Sequence, residues 1–175
     1  MSARRQRQMC IRDRVNIFGY HFATLDIRQD SNIHSEVFKE IIKTYFKKEF
    51  RGGYENLSEE KKIQNLSRLN VRINSNKFQN DLAKSTVESI ELISQIQKSN
   101  GQKGCHRYII SNNYSAINIL EVFTMIRLTL GEKFNVDIVP LFESILDLEN
   151  ASSVMDKTYS NKLYLSHLKR RNNVQ

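Results

Sequence analysis

Tryptophan is absent from this 175-residue chain, proline occurs once, at Pro140, and glycine six times. Few loop-breakers beside many Lys, Glu, Ile, Leu and Asn point to a helix-rich molecule. The two cysteines, Cys10 and Cys105, show neither a Cys-x-x-Cys pair nor Cys/His metal spacing. That excludes a disulfide scaffold and fits a reducing compartment. No apolar run approaches the roughly 18 residues that span a bilayer, and the N-terminus lacks the apolar core of a secretion signal. The expected location is therefore cytoplasmic, with no membrane partner, and the sequons at Asn56, Asn65 and Asn113 carry little weight. Hydrophobic residues make up 39% of the chain, a low share for a globular protein but above the range of disorder. The length suits one domain with a sizeable core.

The net charge of +8 is unevenly spread. Residues 1–14 hold five Arg and one Asp, a net of +4, which leaves 22 basic against 18 acidic residues in the remainder. This leader has no hydrophobic periodicity, and the expectation is that it is disordered or foreign to the native polypeptide. Residues 15–175 then form the body. An Arg-rich arm can also hold phosphate backbones. A small basic helical module for nucleic acid or protein interaction is thus the competing reading. Against it, aromatics are not interleaved among the basic residues, and no helix-turn-helix or RNA-recognition signature is present. The chain is accordingly expected to bind no nucleic acid.

Tyr20 to Arg28 alternates as a strand does, with Phe22, Thr24 and Asp26 on one side and Ala23, Leu25 and Ile27 on the other. A helix follows at once, capped by Ser31 and running to about Phe50 on Ile33, Val37, Ile41 and Tyr45. His34, in its first turn, suits a surface or capping role better than a catalytic one. Arg51-Gly52-Gly53-Tyr54 breaks the pattern. Ser58 caps a short helix with Glu59 and Glu60 in its first turn, and residues 70–80 read as loop. Ser85 and Glu88 have capping-box spacing ahead of Ile90, Ile93 and Ile96. His106 to Ser111 is a short buried strand. Ser115 caps an apolar helix ending at Gly131, and Val136 to Phe142 is a third strand. Asp147 begins another helix, and Lys162 to Arg170 a last one. Strands separated by helices imply parallel βα units, and three such units leave raw sheet edges.

Two strand ends carry charge: Arg28 and Asp30, with the neutral Gln29 between them, at the first, and Glu143 at the third. The strand tips are where a barrel enzyme keeps its chemistry, although an ordinary strand end with solvated charges has the same pattern. The segments Leu25-Asp26-Ile27-Arg28-Gln29 and Pro140-Leu141-Phe142-Glu143, in this order and at this spacing, resemble those of phosphoenolpyruvate carboxylase of the bacterial type. The likeness runs from about Val15 to the C-terminus and covers about a fifth of that family's usual length. It implies an α/β fold, a helix-rich part of a (β/α)8 TIM-type barrel with about three of the barrel strands present.

The same resemblance implies the chemistry. Phosphoenolpyruvate and bicarbonate give oxaloacetate and phosphate by way of carboxyphosphate, which feeds the tricarboxylic acid cycle. Arg28 would be the catalytic residue facing phosphoenolpyruvate or carboxyphosphate, since a planar guanidinium meets phosphate oxygens two at a time. Gln29 would bind substrate beside it, with Asp26 in support. Glu143 would be a ligand of Mg2+ or Mn2+, which favour hard oxygen donors. A homotetramer is implied for the full-length protein. Absent from residues 1–175 are the family's second metal carboxylate, in a Gly-(Tyr or Phe)-Ser-Asp stretch, its Thr-Ala-His-Pro-Thr-Glu segment and its glycine- and arginine-rich loop. None of His21, His34, His106 and His167 has the context of the catalytic histidine. Ser111-Asn112-Asn113 and Ser115-Ala116 also stand where Ser-Met and Ser-Asp are common. The isolated chain is therefore expected to be inactive.

Overall fold

Local signals in the chain select helices joined to short strands, and a computed structural model describes residues 3–19 and 23–173 in those terms. Residues 3–14, where no periodicity is legible, form one helix with residues 15–18, α1 (Ala3–Phe18), whose described side chains are exposed throughout. The first strand, β1 (Asp26–Asp30), is shorter than the alternation predicts. Of that alternating run, Tyr20 to Phe22 lie outside the described residues, and residues 23–25 are not in the strand.

Asp30, not Ser31, caps α2 (Ser31–Tyr45): its carboxylate accepts the Asn32 N–H at 2.8 Å. The helix ends five residues earlier than its apolar spacing suggests. Phe46 and Tyr54 are buried and Phe50 packs on them, but they reach the core from turns, with the Phe50 and Tyr54 rings 5.4 Å apart. After α3 (Glu59–Leu66) comes α4 (Asp81–Asn100), capped by Asn80, which accepts from the Ala83 N–H at 2.9 Å. Ser85 therefore lies inside α4, and its hydroxyl bonds back to the Leu82 carbonyl.

The middle strand, β2 (Arg107–Ser111), leads to α5 (Ala116–Leu130). Ser115 caps α5 as its sequence predicts, its N–H and hydroxyl both donating to Asn118 Oδ1. β3 (Asp137–Pro140) is followed by α6 (Ile145–Ser160), whose cap is Ser144, with Asp147 at the third helical position, and then by α7 (Lys162–Arg170).

The three strands form one parallel sheet in the order β1-β2-β3, with Arg28 opposite Ile109 and Ile109 opposite Val139. Its two faces differ. Tyr108 and Ile110 are fully buried against the helical layer, whereas Asp26, Arg28 and Arg107 are exposed on the other face. α5 lies at the centre of that layer and is apolar on nearly all sides, as a helix buried all round must be. Most of its polar side chains are bonded within the protein. Thr124 and Thr129 bond to carbonyls four residues back, and Arg127 reaches the Leu66 and Leu69 carbonyls at 3.1 and 2.7 Å.

At the amino ends of β2 and β3, the Gln97 amide on α4 donates to the Cys105 and Asn135 carbonyls at 2.7 and 2.9 Å. Arg171 closes α7 onto β3 through Asp137 at 2.7 Å. Both bonds hold the amino-end rim of the sheet and leave the carboxyl ends of the strands free for charged groups.

Candidate active site

Arg28 sits two residues from the end of β1, and Glu143 lies three residues past β3. β2 separates the two strands, yet Arg28 Nη2 donates to Glu143 Oε1 at 3.0 Å. The pair is solvent-accessible, with side chains 55% and 39% exposed, so it adds little to stability, about 0–1 kcal/mol. An arginine that is charged, rigidly based and open to water is available to a ligand.

The second oxygen, Glu143 Oε2, accepts the main-chain N–H of Asn112 at 2.7 Å. Asn112 Nδ2 in turn donates to Asp30 Oδ2. That bond first, and the Asn32 N–H second, hold the Asp30 carboxyl below the usual carboxylate range. Ser31 Oγ donates to the Asn112 carbonyl at 2.6 Å. One network thus joins the carboxyl ends of all three strands. Beside it, Asn113 is fully buried with neither the nitrogen nor the oxygen of its side-chain amide bonded among the described residues.

Gln29 is placed differently from Arg28. Successive strand residues face opposite ways, and Gln29 turns to the helical layer, where its Nε2 donates to Thr86 Oγ1 at 3.2 Å. Asp26 is on the Arg28 face and accepts from Arg107 at 2.9 Å. His34 is fully buried, not at the surface, with Nε2 and the Tyr108 hydroxyl 3.0 Å apart, and burial lowers its pKa to about 4. It is a neutral core histidine at pH 7.

Among the described residues no three His, Cys, Asp or Glu side chains gather around a point a cation could occupy. Glu143 has the donor chemistry that Mg2+ or Mn2+ prefers. It fits as one ligand, and the described residues supply no complete site. A groove of about 800 Å3 lies between α3, α6 and α7 and includes none of these groups.

The sequence pattern locates Arg28 and Glu143 but misses Asn112. Its contribution runs through a main-chain N–H, which no residue type reports. The one available signal is an Asn-Asn pair just past a strand, where left-handed backbone is tolerated.

A parallel sheet with helices on one face, and charged groups converging on the carboxyl ends of its strands, places the chain in the α/β class, where such strand ends are the usual place for a site. The family model described as phosphoenolpyruvate carboxylase matches residues 3–175, and the chain belongs to that family. It is 34% identical over 164 residues to the phosphoenolpyruvate carboxylase of Prochlorococcus marinus (strain MIT 9312), which covers 88% of this chain and 16% of that protein. Against those of Nitrosomonas eutropha and Gloeobacter violaceus it is 30% and 31% identical, covering 94% and 93% of this chain and 18% of each relative. The chain thus spans about a sixth of the length of these relatives.

Proposed function

We propose that this chain is part of a phosphoenolpyruvate carboxylase and supplies three consecutive βα units of its (β/α)8 barrel, contributed by residues 15–175. The full-length enzyme would convert phosphoenolpyruvate and bicarbonate to oxaloacetate and phosphate, in the cytoplasm and as a homotetramer. The observation that carries this reading is the convergence of Arg28 and Glu143 at 3.0 Å across an intervening strand, in a chain belonging to that family.

Arg28 binds the phosphate of phosphoenolpyruvate, and then of carboxyphosphate. Its fork of N–H donors stabilises charge as the phosphoryl group moves. In the resting state it is held ready by Glu143, and substrate oxygens compete for the guanidinium. Glu143 would hold Mg2+ or Mn2+ as one of its ligands, and the bound cation would stabilise the enolate oxygen. Gln29 would support the strand that carries Arg28, its amide anchored on Thr86 in the helical layer and turned away from the substrate face. Residues 1–14 take no part.

The experiment is steady-state kinetics on the full-length polypeptide carrying this segment. Arg28→Ala and Glu143→Gln are each expected to lower kcat/KM about 100-fold or more. Wild-type kinetics in both variants would overturn the assignment.

A further inference from the structure

Asn112 follows β2 with a φ of 52°, in the left-handed region that asparagine tolerates better than most residues. At that φ the chain turns out of the strand after Asn112, while the Asn112 N–H meets Glu143 Oε2 at 2.7 Å. Its carbonyl accepts from Ser31 Oγ at 2.6 Å and its side-chain amide donates to Asp30. A single residue at the tip of β2 therefore grips the start of α2 on one side and the carboxylate beyond β3 on the other.

Without that N–H, Glu143 would be oriented by Arg28 alone. Both members of that pair are substantially exposed, and such pairs fix geometry weakly. The N–H has a firmer base. Asn113, the next residue, is buried, and its N–H donates to the Leu141 carbonyl at 3.0 Å, which pins the turn to the end of β3.

We propose that Asn112 is a positioning residue: its N–H sets the orientation of the Glu143 carboxylate, the turn through its left-handed backbone to the pinned Asn113 holds that N–H in place, and its side chain ties the setting to Asp30. The inference rests on the functional reading of Glu143 given above. It adds that the backbone conformation at Asn112 decides the outcome.

Asn112→Gly and Asn112→Ala separate these contributions, since both lose the amide and only alanine resists a φ of 52°. Together with Glu143→Gln they are compared in the full-length polypeptide carrying this segment. The readouts are kcat, KM for phosphoenolpyruvate, and Mn2+ binding to the substrate-free protein by electron paramagnetic resonance. The alanine variant is expected to lose about 10–100-fold in kcat and in Mn2+ affinity, with KM changed less, as for groups that orient a ligand. The glycine variant is expected to recover most of that loss.

Alanine and glycine variants equal to one another in both readouts would overturn the proposal. Should the alanine variant not fold, the folded glycine variant decides, because losing both readouts there removes the backbone argument. Glu143→Gln separates the two levels. If it behaves as wild type, the functional reading of Glu143 falls. If it loses both readouts while Asn112→Ala behaves as wild type, only the role of Asn112 falls.

Discussion

His34 and His167 are buried imidazoles with no anion bonded to them among the described residues. His34 meets the Tyr108 hydroxyl, and His167 bonds to the Val136 carbonyl while stacking on Phe134 at 4.3 Å between ring centroids. Burial lowers both pKa values from 6.5 to about 4. Between those values the unfolded chain binds more protons than the folded one. The stability that depends on uncharged rings is thus complete above pH 6.5 and is lost as pH falls toward 4. Denaturant melts at pH 7 and pH 4.5 should show that loss, and His34→Gln should reduce it by on the order of 1–3 kcal/mol.

Glu121 works in the opposite direction. Its carboxylate is buried in α5 beneath Tyr54 and Ser35, whose hydroxyls donate at 2.8 and 2.9 Å, and burial raises its pKa. Its contribution is present at low pH and is lost as pH rises through the raised value. In Glu121→Gln, stability should depend less on pH on that side.

At the scale of elements, α5 and the loop after α3 are joined by Arg127. Replacing it with Met leaves the Leu66 and Leu69 carbonyls without their donor and should cost about 2–4 kcal/mol by urea denaturation. Gly131 closes α5 at a φ of 93°, and an added Cβ would meet Arg72 Nη1 at 2.8 Å. The guanidinium can shift, so the backbone carries most of the penalty. Gly131→Ala should lower stability by about 1–2 kcal/mol in the same assay.

The elements themselves are largely legible in the sequence because each has a local cause. Ser115 caps where expected, and Ile119, Leu120, Phe123 and Ile126 are core. The misses also have local causes. The apolar spacing from Ile33 to Phe50 continues past the helix because turns, as well as helices, can bury Phe46 and Phe50. Asp30 takes the cap from Ser31 because both side chains can accept an N–H, and only the packing on β2 decides between them. In the site, Arg28 and Glu143 can be read from their strand ends. The opposite facing of Gln29 follows from strand alternation once the strand is known. The role of Asn112 is largely a main-chain event, marked in the sequence only by the Asn-Asn pair that follows β2.

For the molecule as a whole, the unbalanced sheet dominates. One face is covered by helices and the other presents Asp26, Arg28 and Arg107 beside the half-buried Ile109 and Val139. Among the described residues, β1 and β3 each have one unpaired edge, and such edges seek partners. The 175-residue chain by itself should associate with rising concentration in sedimentation experiments. It should also form no oxaloacetate from phosphoenolpyruvate and bicarbonate. Measurable oxaloacetate would show that the arginine and the single carboxylate suffice without further motifs.

The Arg28–Glu143 contact also has a consequence in time. Its partners are 115 residues apart in sequence. At about 5–20 residues per second of synthesis, the carboxylate leaves the ribosome on the order of ten seconds after the guanidinium. During that interval β1 and β2 can pair and the helices between them can dock, but the guanidinium has no counter-ion from β3. The contact forms only when the third strand arrives, so the ion pair marks the assembly of the three-stranded sheet, before α6 and α7 are made.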